Sequence, residues 1–348
     1  MSSDTTNDRK LEHIRAFDID PAIERDARHF DRIRLTHRAL PNLAFDQVDT
    51  GCTFLGKRLS FPLLISSMTG GDHELIRTIN RNLAEAAQRT GVAMAVGSQR
   101  VMFTDEAARA SFDLREYAPD ALLIGNVGAV QLNYGFSLEQ CQAAVDLLGG
   151  DGLYLHLNPL QEAVQPEGDT DFSNLETLIT EVAGSLSVPV LLKEVGSGLS
   201  APDIEAGLRA GVSFFDLAGT GGTSWSRIEH HRRGDKGEDL GLVFQDWGIP
   251  TPLALQIAKP YRSQASFVAS GGIRDGIDMA KSVIMGASLC GVAAPFLAPA
   301  MDSADAVVAV IERFRREFTT AMFLLGMPDV ATLFGNESLI LKASGEHI

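Results

Sequence analysis

The chain has 348 residues, and 45% of them are hydrophobic, so it can bury a large core in one large α/β domain or two ordinary ones. Its formal net charge of -15 argues against a general nucleic-acid or acidic-membrane binder, because either partner would repel it. Its cysteines, Cys52, Cys141 and Cys290, are far apart and in no metal-like spacing, so neither a disulfide framework nor a zinc site is expected.

The N-terminus opens polar and charged from Met1 to Lys10, without the apolar segment of a signal peptide. Together with the odd number of cysteines, this predicts a cytoplasmic protein. Residues 282–301 are uncharged over about the length of a membrane span, but glycines and prolines interrupt them. We expect a helix end, a buried strand and a loop there, and no membrane contact.

Short apolar runs alternate with helix-like segments along the chain. The runs predict eight strands, near Leu63–Ser67, Ala93–Gly97, Leu122–Asn126, Leu153–Asn158, Val190–Glu194, Phe214–Ala218, Phe267–Ser270 and Leu289–Ala293. Apolar residues at three- and four-residue spacing predict helices over Glu74–Arg89, Leu138–Leu148, Asn174–Leu186, Ala201–Ala210 and Gly276–Met285. Glycines suited to helix C-caps follow helical segments at Gly91, Gly149, Gly211 and Gly286.

Eight strand-helix repeats with buried strands predict a parallel sheet, and closure into a (β/α)8 barrel is the simplest arrangement. An open doubly wound sheet is the alternative. We expect a single barrel domain over residues 1–348, with an N-terminal arm and hairpin in residues 1–60, the barrel in residues 61–335 and a tail in residues 336–348, whose final residues fray. The apolar stretches after Ser303 predict the last barrel helices.

Two segments lie outside the strand-helix repeat. Residues 45–58 contain Asp49-Thr50-Gly51 and Leu55-Gly56-Lys57, which predicts a hairpin that caps the bottom of the barrel. The long gap after strand six contains Ser224 to Arg227 and the charged run His230 to Asp239, which suits a mobile lid. A solvated surface loop is the alternative for this second segment.

The heptapeptide His156 to Glu162 places four groups that bind ions or move protons at the end of an apolar strand. His156 and Asn158 share a face of the strand, whereas Gln161 and Glu162 follow in the loop. Either His156 or Asn158 alone could be satisfied in a buried polar cluster. Four such groups together favour a functional site, because barrel active sites form at the carboxyl ends of the strands.

Glycine-rich loops follow later strands. Ser270 to Gly276 lets backbone N–H groups approach a phosphate beside a helix N-terminus, and Gly221 to Thr223 adds a second donor-rich turn. Lys193 ends a strand, where its charge is costly to bury unless it meets an anion or an electron-rich ring. Groups that recognise a polar heterocycle stand at Ser67, Thr69, Ser98 and Asn126. A phosphate at one end and a polar heterocycle at the other describe FMN.

The chain resembles the type 2 isopentenyl diphosphate isomerases in five motifs, Met68 to Gly71, Val96 to Arg100, His156 to Glu162, Gly221 to Trp225 and Ser270 to Arg274. The resemblance runs from Arg9 to about Leu333. The motif Ser-Gly-Gly-Ile-Arg is shared by many FMN barrels. The combination of Gly-Ser-Gln-Arg with His-Leu-Asn-Pro-x-Gln-Glu is much more specific.

This resemblance implies a (β/α)8 barrel that interconverts isopentenyl diphosphate and dimethylallyl diphosphate in isoprenoid biosynthesis. It further implies reduced FMN, Mg²⁺, NADPH or another reductant, and a homotetramer or homooctamer. The implied FMN contacts are Met68, Thr69, Ser98, Asn126, Lys193, Thr223, Gly271, Gly272, Arg274, Ala293 and Ala294. The implied diphosphate contacts are Arg9, Lys10, Ser98, Gln99, Arg100, His156 and Asn158.

The resemblance also assigns the chemistry. Glu162 is expected to hold Mg²⁺, and Gln161 is expected to contact the substrate at the reacting carbons, with His156 as the other catalytic candidate. Ala218 stands where the family usually has a hydroxyl residue, so one hydrogen bond to the flavin would fall to Thr220 or a water.

Moving a double bond in an unactivated alkene requires a proton added to one carbon and a proton removed from a neighbour. An ordinary carboxylic acid is too weak to form a tertiary cation unaided, whereas reduced FMN stabilises developing positive charge beside N5, which can carry a proton. We therefore expect acid-base chemistry at N5, assisted by Gln161 or a bound water. Glu162 suits one carboxylate ligand of an octahedral Mg²⁺.

Three other barrel functions fit the sequence less well. A 2-hydroxyacid oxidase needs a His beside an Arg near the phosphate loop, and Arg274 has no adjacent His. A metal-dependent amidohydrolase needs His-x-His after strand one, which Ser66 to Thr69 does not supply. A flavin-storage or structural barrel has no use for Gln161 and Glu162.

Overall fold

The computed structural model describes residues 19–25, 27, 29–233 and 239–341, and its centre is a closed barrel of eight parallel strands. Two short antiparallel strands precede it, β1 (Cys52–Phe54) and β2 (Lys57–Leu59). The barrel strands are β3 (Leu63–Ile65), β4 (Ala93–Ala95), β5 (Leu123–Gly128), β6 (Gly152–Leu157), β7 (Val190–Glu194), β8 (Phe214–Asp216), β9 (Ser266–Ser270) and β10 (Leu289–Val292). Because β10 pairs with both β9 and β3, the predicted barrel is confirmed and the open sheet is wrong.

All eight predicted strands are present, but some end before the polar residues that were expected within them. β3 ends at Ile65 and β4 at Ala95, each two residues earlier than predicted. The residues just beyond, Ser66, Ser67 and Gly97, line a cavity at the barrel rim. The strand ends therefore deliver these residues to the rim, where they leave the regular sheet.

Side chains alternate between the inside of the barrel and the surrounding helices. Leu64 belongs to the interior cluster, whereas its neighbours Leu63 and Ile65 pack in the outer core with the helices. Phe54 and Leu59 of the β1–β2 hairpin join the interior cluster. The hairpin therefore closes one end of the barrel interior, as predicted, and its turn uses Leu55 and Gly56 with φ of 46° and 78°.

Helices surround the barrel. They are α1 (Glu74–Thr90), α2 (Leu138–Leu148), α3 (Pro159–Val164), α4 (Leu175–Ser185), α5 (Ala201–Arg209), α6 (Trp225–Arg233), α7 (Leu240–Val243), α8 (Thr251–Ala258), α9 (Gly276–Ile284), α10 (Ala294–Asp302), α11 (Ala304–Leu325) and α12 (Val330–Leu333). The five predicted helices agree with α1, α2, α4, α5 and α9 to within one residue at each end. The glycines predicted as C-caps, Gly91, Gly149, Gly211 and Gly286, all have positive φ.

The insertion after β8 contains helix α6 where its charges predicted a loop. Charge pairing stabilises this helix: Arg232 lies 2.6 Å from Glu167, and Arg227 lies 2.5 Å from Asp20 of the N-terminal segment. These pairs anchor α6 to two other parts of the chain. Residues 234–238 of the predicted lid lie outside the described residues.

The described part of the predicted tail is held in place. The backbone N–H of Leu341 donates to Arg34 at 2.8 Å, and the N–H of Thr36 donates to Leu339 at the same distance. Leu339 is buried, so residues 336–341 pack onto the N-terminal region. The final residues, which were expected to fray, lie outside the described residues. In the described part of the chain, none of the helices combines the length and apolar character that crossing a bilayer requires.

Gly276 begins α9 where α11 packs against it. A Cβ on Gly276 would lie 2.2 Å from the backbone nitrogen of Phe318, which cannot turn aside as a side chain can. We expect Gly276→Ala to lower the free energy of unfolding by about 1–3 kcal/mol through overpacking. Urea unfolding followed by circular dichroism measures this loss.

Gly184 in α4 provides a matched control, because a Cβ there would meet nothing within 4 Å. Gly184→Ala should raise the free energy of unfolding by roughly 0.5–1 kcal/mol, since Ala is the better helix former. Equal effects of the two substitutions would contradict the close packing between α9 and α11.

Candidate functional site

The carboxyl ends of the barrel strands surround a cavity of about 210 Å³. It brings together most of the site residues that the sequence predicted. Those that line it are Met68, Thr69, Ser98, Arg100, Asn126, His156, Asn158, Gln161, Glu162, Lys193, Thr223, Gly271, Gly272, Arg274, Ala293 and Ala294. Arg9 and Lys10 lie outside the described residues.

Gln99 is the predicted site residue whose side chain the structure places elsewhere. Its amide is fully buried; Nε2 donates to the carbonyl of Ala144 at 2.8 Å and Oε1 accepts from the N–H of Asn126 at 2.9 Å. The amide therefore joins the loop after β4 to helix α2 and strand β5. The side chain of Gln99 does not reach the cavity to contact a diphosphate.

His156 has a defined orientation and tautomer. Its Nδ1 lies 2.8 Å from Oδ1 of Asn126, whose Nδ2 donates to the carbonyl of Val96 at 3.0 Å. The carbonyl of Val96 can only accept a hydrogen bond, so the amide of Asn126 must present its NH2 group to Val96 and its oxygen to His156. Nδ1 of the imidazole therefore carries the proton. Nε2 is then the nitrogen at which a neutral His156 accepts a proton.

The carboxylate of Glu162 is buried and held by neutral donors. Oε1 accepts from Nδ2 of Asn158 at 2.8 Å, and Oε2 accepts from Gln165 and from the N–H of Asp169 at 2.7 Å. The carboxylate of Asp169 in turn accepts from Nη1 of Arg100 at 2.7 Å. Asp169 thus connects the predicted metal ligand with a predicted diphosphate ligand.

Gln161 is fixed from two sides. Its Nε2 donates to Oε1 of Glu229 at 2.8 Å, and its Oε1 accepts from Nδ2 of Asn158 at 3.2 Å. Glu229 is fully buried and pairs with Arg232 of the same helix. Burial lowers the pKa of the Arg232 guanidinium, but the carboxylates of Glu229 and Glu167 more than offset this effect. The pKa is therefore raised overall. Helix α6 therefore sets the direction in which the Gln161 amide faces.

Lys193 reaches the cavity from β7 with a carboxylate behind it. Nζ lies 3.3 Å from Oδ2 of Asp216, which is fully buried at the end of β8, and donates to the carbonyl of Glu194 at 3.0 Å. Oδ1 of Asp216 accepts from Oγ of Ser270 at 2.5 Å. The carboxylate of Asp216 also affects Tyr154. Burial first, and then the charge of Asp216, raises the pKa of the Tyr154 hydroxyl well above its ordinary value. Asp216 stabilises the charge of Lys193 in a place where water cannot.

Glycines bring the two predicted phosphate loops together. Gly271 and Gly272 have φ of 97° and 82°, and a Cβ on Gly271 would lie 2.0 Å from the carbonyl oxygen of Gly219. A Cβ on Gly222 would lie 3.0 Å from the nitrogen of Gly272. Only residues without a side chain allow the loops after β8 and β9 to pack this closely and to expose their N–H groups.

The turn after β7 is built on Glu194. One carboxylate oxygen accepts from the N–H groups of Val195 and Gly196, each at 2.7 Å, and from those of Ser197 and Gly198. Burial raises the pKa of Glu194, and the backbone donors act in the opposite direction. Val195 and Gly196 line the cavity, so this buried carboxyl group shapes one side of it.

The lining residues fit FMN and Mg²⁺. Buried hydroxyl oxygens of Ser66, Ser67 and Thr69 have no hydrogen-bond partner within the described chain, which suits a polar ring system that supplies partners. The glycine turns suit a phosphate. Glu162 suits Mg²⁺ that is shared with a phosphorylated substrate, since such ions commonly use one or two carboxylates.

Ala218 lines the cavity in a left-handed conformation, with φ of 40°, and offers no hydroxyl group. Thr220 does not replace it, because its hydroxyl lies 3.3 Å from Nε2 of His29 and the residue is absent from the cavity lining. The hydrogen bond expected at this position must therefore come from water or be missing.

Several residues that shape the site were not predicted, namely Glu24, Gln131, Gln165, Asp169, Asp216 and Glu229. Asp216 carried a usable signal, because a carboxylate that ends a buried strand needs a partner. Glu229 and Asp169 lie in charged or loop segments that resemble solvated surface. No local pattern distinguishes them.

The fold and the cavity define a flavin-dependent barrel, and comparison with known proteins agrees. The family model described as FMN-dependent dehydrogenase matches residues 16–118 and 160–340. Solved structures share the fold: a flavocytochrome b2 with pyruvate bound superposes with a TM-score of 0.64 at 18% identity, covering 92% of this chain and 78% of that one. A mandelate oxidase superposes with a TM-score of 0.61 at 19% identity, covering 89% of this chain and 86% of that one.

Curated relatives specify the subgroup. An isopentenyl-diphosphate delta-isomerase of Paracoccus zeaxanthinifaciens is 61% identical over 95% of this chain and 96% of its own length. A protein of the same name from Hydrogenovibrio crunogenus is 58% identical over 98% of this chain and 100% of its own length. The chain therefore belongs to the FMN-dependent dehydrogenase family and, within it, to the isopentenyl-diphosphate delta-isomerases, as its motifs predicted.

The buried pair of Lys193 and Asp216 can be tested by a double-mutant cycle. Asp216→Asn leaves the ammonium group buried without its counter-charge, so we expect the free energy of unfolding to fall by about 3–5 kcal/mol. Lys193→Met should lower the free energy of unfolding by a similar amount, because it leaves the carboxylate of Asp216 buried without its counter-charge. The double variant should lose less than the sum of the two, because neither charge remains. Chemical denaturation of the four proteins measures the coupling, and strictly additive losses would rule out the pairing.

Proposed function

We propose that the protein interconverts isopentenyl diphosphate and dimethylallyl diphosphate, using reduced FMN and one Mg²⁺. The observation that carries this proposal is that His156, Asn158, Gln161 and Glu162 line the same cavity as the glycine turns expected to bind a phosphate. The relatives that are 61% and 58% identical, both named isopentenyl-diphosphate delta-isomerase, support it.

FMN fits the cavity through two sets of groups. Thr223, Arg274 and the glycine turns suit its phosphate, whereas Lys193 and the buried hydroxyl groups suit its ring system. When bound in its reduced form, FMN supplies electron density that stabilises positive charge developing on the substrate and a nitrogen that can carry a proton. The chain contributes a fixed ammonium group, because Asp216 holds Lys193 in place.

The substrate diphosphate is met by Arg100, His156 and Ser98 in this proposal, and by Asn158 if one of its two N–H groups leaves Gln161 or Glu162. Arg100 has five N–H donors, so it can hold Asp169 through Nη1 and still donate to a phosphate oxygen. Arg9 and Lys10, outside the described residues, are proposed as further diphosphate ligands on the basis of the family motif alone.

Mg²⁺ is proposed to bind Glu162 together with diphosphate oxygens and water. The described residues include no cluster of three or more His, Cys, Asp or Glu side chains for a metal, and a phosphate-bound Mg²⁺ commonly uses one or two carboxylates. Asp169 and Asn158 hold the Glu162 carboxylate by hydrogen bonds, so its position is set before the ion arrives.

Gln161 is proposed to act at the hydrocarbon end of the substrate. An amide is a poor base, so its contribution is to hold a proton-carrying water or the alkene itself in a fixed position. Asn158 and Glu229 fix both ends of the amide, which supports this role. The proton that leaves or enters the substrate at this side would pass through that water.

The remaining parts of the proposal concern the cell. We propose a cytoplasmic enzyme of isoprenoid biosynthesis that is kept reduced by NADPH or another reductant and assembles as a homotetramer or homooctamer. The proposed assembly follows from the family resemblance.

Turnover under two redox conditions tests the function. Purified protein with FMN, Mg²⁺ and isopentenyl diphosphate should form dimethylallyl diphosphate under anaerobic conditions after reduction by dithionite or NADPH. The same mixture with oxidised flavin should form no product. The physical reason is that only the reduced ring is electron-rich enough to stabilise a carbocation. Product analysis by chromatography measures both. If reducible flavin is bound but no product forms, the isomerase proposal fails and oxidation of 2-hydroxyacids should be screened.

Two adjacent substitutions should separate the hydrocarbon end from the diphosphate end. We expect Gln161→Ala to lower kcat by about 100-fold or more, because a positioned proton-transfer partner is lost. Glu162→Gln should mainly raise KM for the substrate, by roughly tenfold or more, because the metal ligand is lost. Flavin content, measured by absorbance, should be unchanged in both. Undiminished turnover in Gln161→Ala would refute the role given to that residue.

A further inference from the structure

Glu24 belongs to the N-terminal segment and yet lines the cavity. The segment lies against the loop after β8, where Glu24 forms a backbone bridge with Thr223. The N–H of Ser224 donates to Ile23 at 2.8 Å, and the N–H of Arg25 donates to Gly222 at 3.2 Å. These bonds hold the backbone of the segment beside the predicted phosphate loops.

The carboxylate of Glu24 uses both side-chain ligands proposed for the cofactor phosphate. Oε2 accepts from Nη2 of Arg274 at 2.7 Å, and Oε1 accepts from the hydroxyl of Thr223. A threonine hydroxyl has one hydrogen, so Thr223 cannot donate to Glu24 and to a phosphate at the same time. Nη2 of Arg274 also donates to the carbonyl of Gly221 at 3.1 Å, which leaves that nitrogen fully used.

We infer that Glu24 is an internal competitor of the cofactor phosphate for Thr223 and for Nη2 of Arg274, and that it lowers the affinity of this chain for phosphorylated flavin. The inference rests on the proposed function, because it takes these two residues as phosphate ligands. A phosphate monoester carries a charge of about -1.5 to -2 at neutral pH. A phosphate that contacts both residues would therefore lie beside a carboxylate, and the like charges repel.

The competition involves the side chain of Glu24 and leaves the backbone of the segment in place. Arg25 donates through Nη1 to the carbonyl of Gly196 at 2.9 Å and through Nε to that of Gln245 at 2.8 Å, so the segment keeps its anchors if Glu24 turns away. The Glu24 and Arg274 side chains are 25% and 22% exposed, which leaves room for Glu24 to exchange its partners for water.

Flavin titrations of the flavin-free, full-length chain test the inference, with quenching of flavin fluorescence as the signal. FMN and riboflavin differ only in the phosphate, so riboflavin reports on ring binding and on the integrity of the fold. We expect Glu24→Gln to tighten FMN binding by about three- to tenfold, as loss of one partly exposed like-charge contact should, and to leave riboflavin binding unchanged.

Asp20→Asn is the matched control. Asp20 lies on the same segment and contacts Arg227 and His231 at 2.5 and 2.6 Å, so its substitution loosens the segment without touching a phosphate ligand. It should leave the ratio of FMN to riboflavin affinity unchanged. A similar change of this ratio in Asp20→Asn would show that the segment, and not the carboxylate, affects the cofactor, and would overturn the inference.

Weaker FMN binding by Glu24→Gln would also overturn it, because Glu24 would then orient Arg274 for the phosphate. An unchanged affinity would mean that the two anions do not compete. Arg274→Met tests the underlying assignment separately, since it should weaken FMN binding and spare riboflavin. If Arg274→Met has no effect on FMN, the proposed phosphate site itself is wrong and the competition fails with it.

Discussion

Closure of the eight-stranded sheet is the constraint on which the rest of this structure depends. β3 and β10 pair although more than 200 residues separate them, and with that pairing all eight carboxyl ends meet at one rim. Short strands suffice because each has two neighbours. The residues that follow the strands, from Ser66 to Ala294, then surround a single cavity. A glycine loop and the heptapeptide from His156 to Glu162 both contribute to its lining.

Charge compensation is the second organising feature. The three Arg and Lys side chains that line the cavity in the described chain each meet a carboxylate: Arg100 meets Asp169, Lys193 meets Asp216, and Arg274 meets Glu24. The pairs differ in burial, and this difference separates their roles. Asp216 is inaccessible and acts as a permanent partner, whereas Asp169 and Glu24 are partly exposed and meet the two cations proposed as phosphate ligands. A chain with a net charge of -15 can thus hold anionic ligands through a few local cations.

Neutral hydrogen bonds complete the site. Asn126 sets the tautomer of His156, and Asn158 donates to both Gln161 and Glu162. Each bond joins residues on the ends of neighbouring strands or on one turn of α3, so the barrel itself supplies the geometry. Helix α6 adds Glu229 from outside the barrel, which connects the insertion after β8 with the polar end of β6.

The sequence by itself determined the barrel and most of the cavity lining, because apolar periodicity, glycine caps and strand-end residues are local signals. It also determined the family, which relatives at 61% and 58% identity confirm. Tertiary structure alone decided that Gln99 points into the protein core, that Thr220 faces His29, and which carboxylate meets which cation. Glu24 and Arg274 are 250 residues apart, and Gln161 and Glu229 are 68 apart. Such pairs depend on how segments outside the strand-helix repeat cross the rim, and no local periodicity encodes that path.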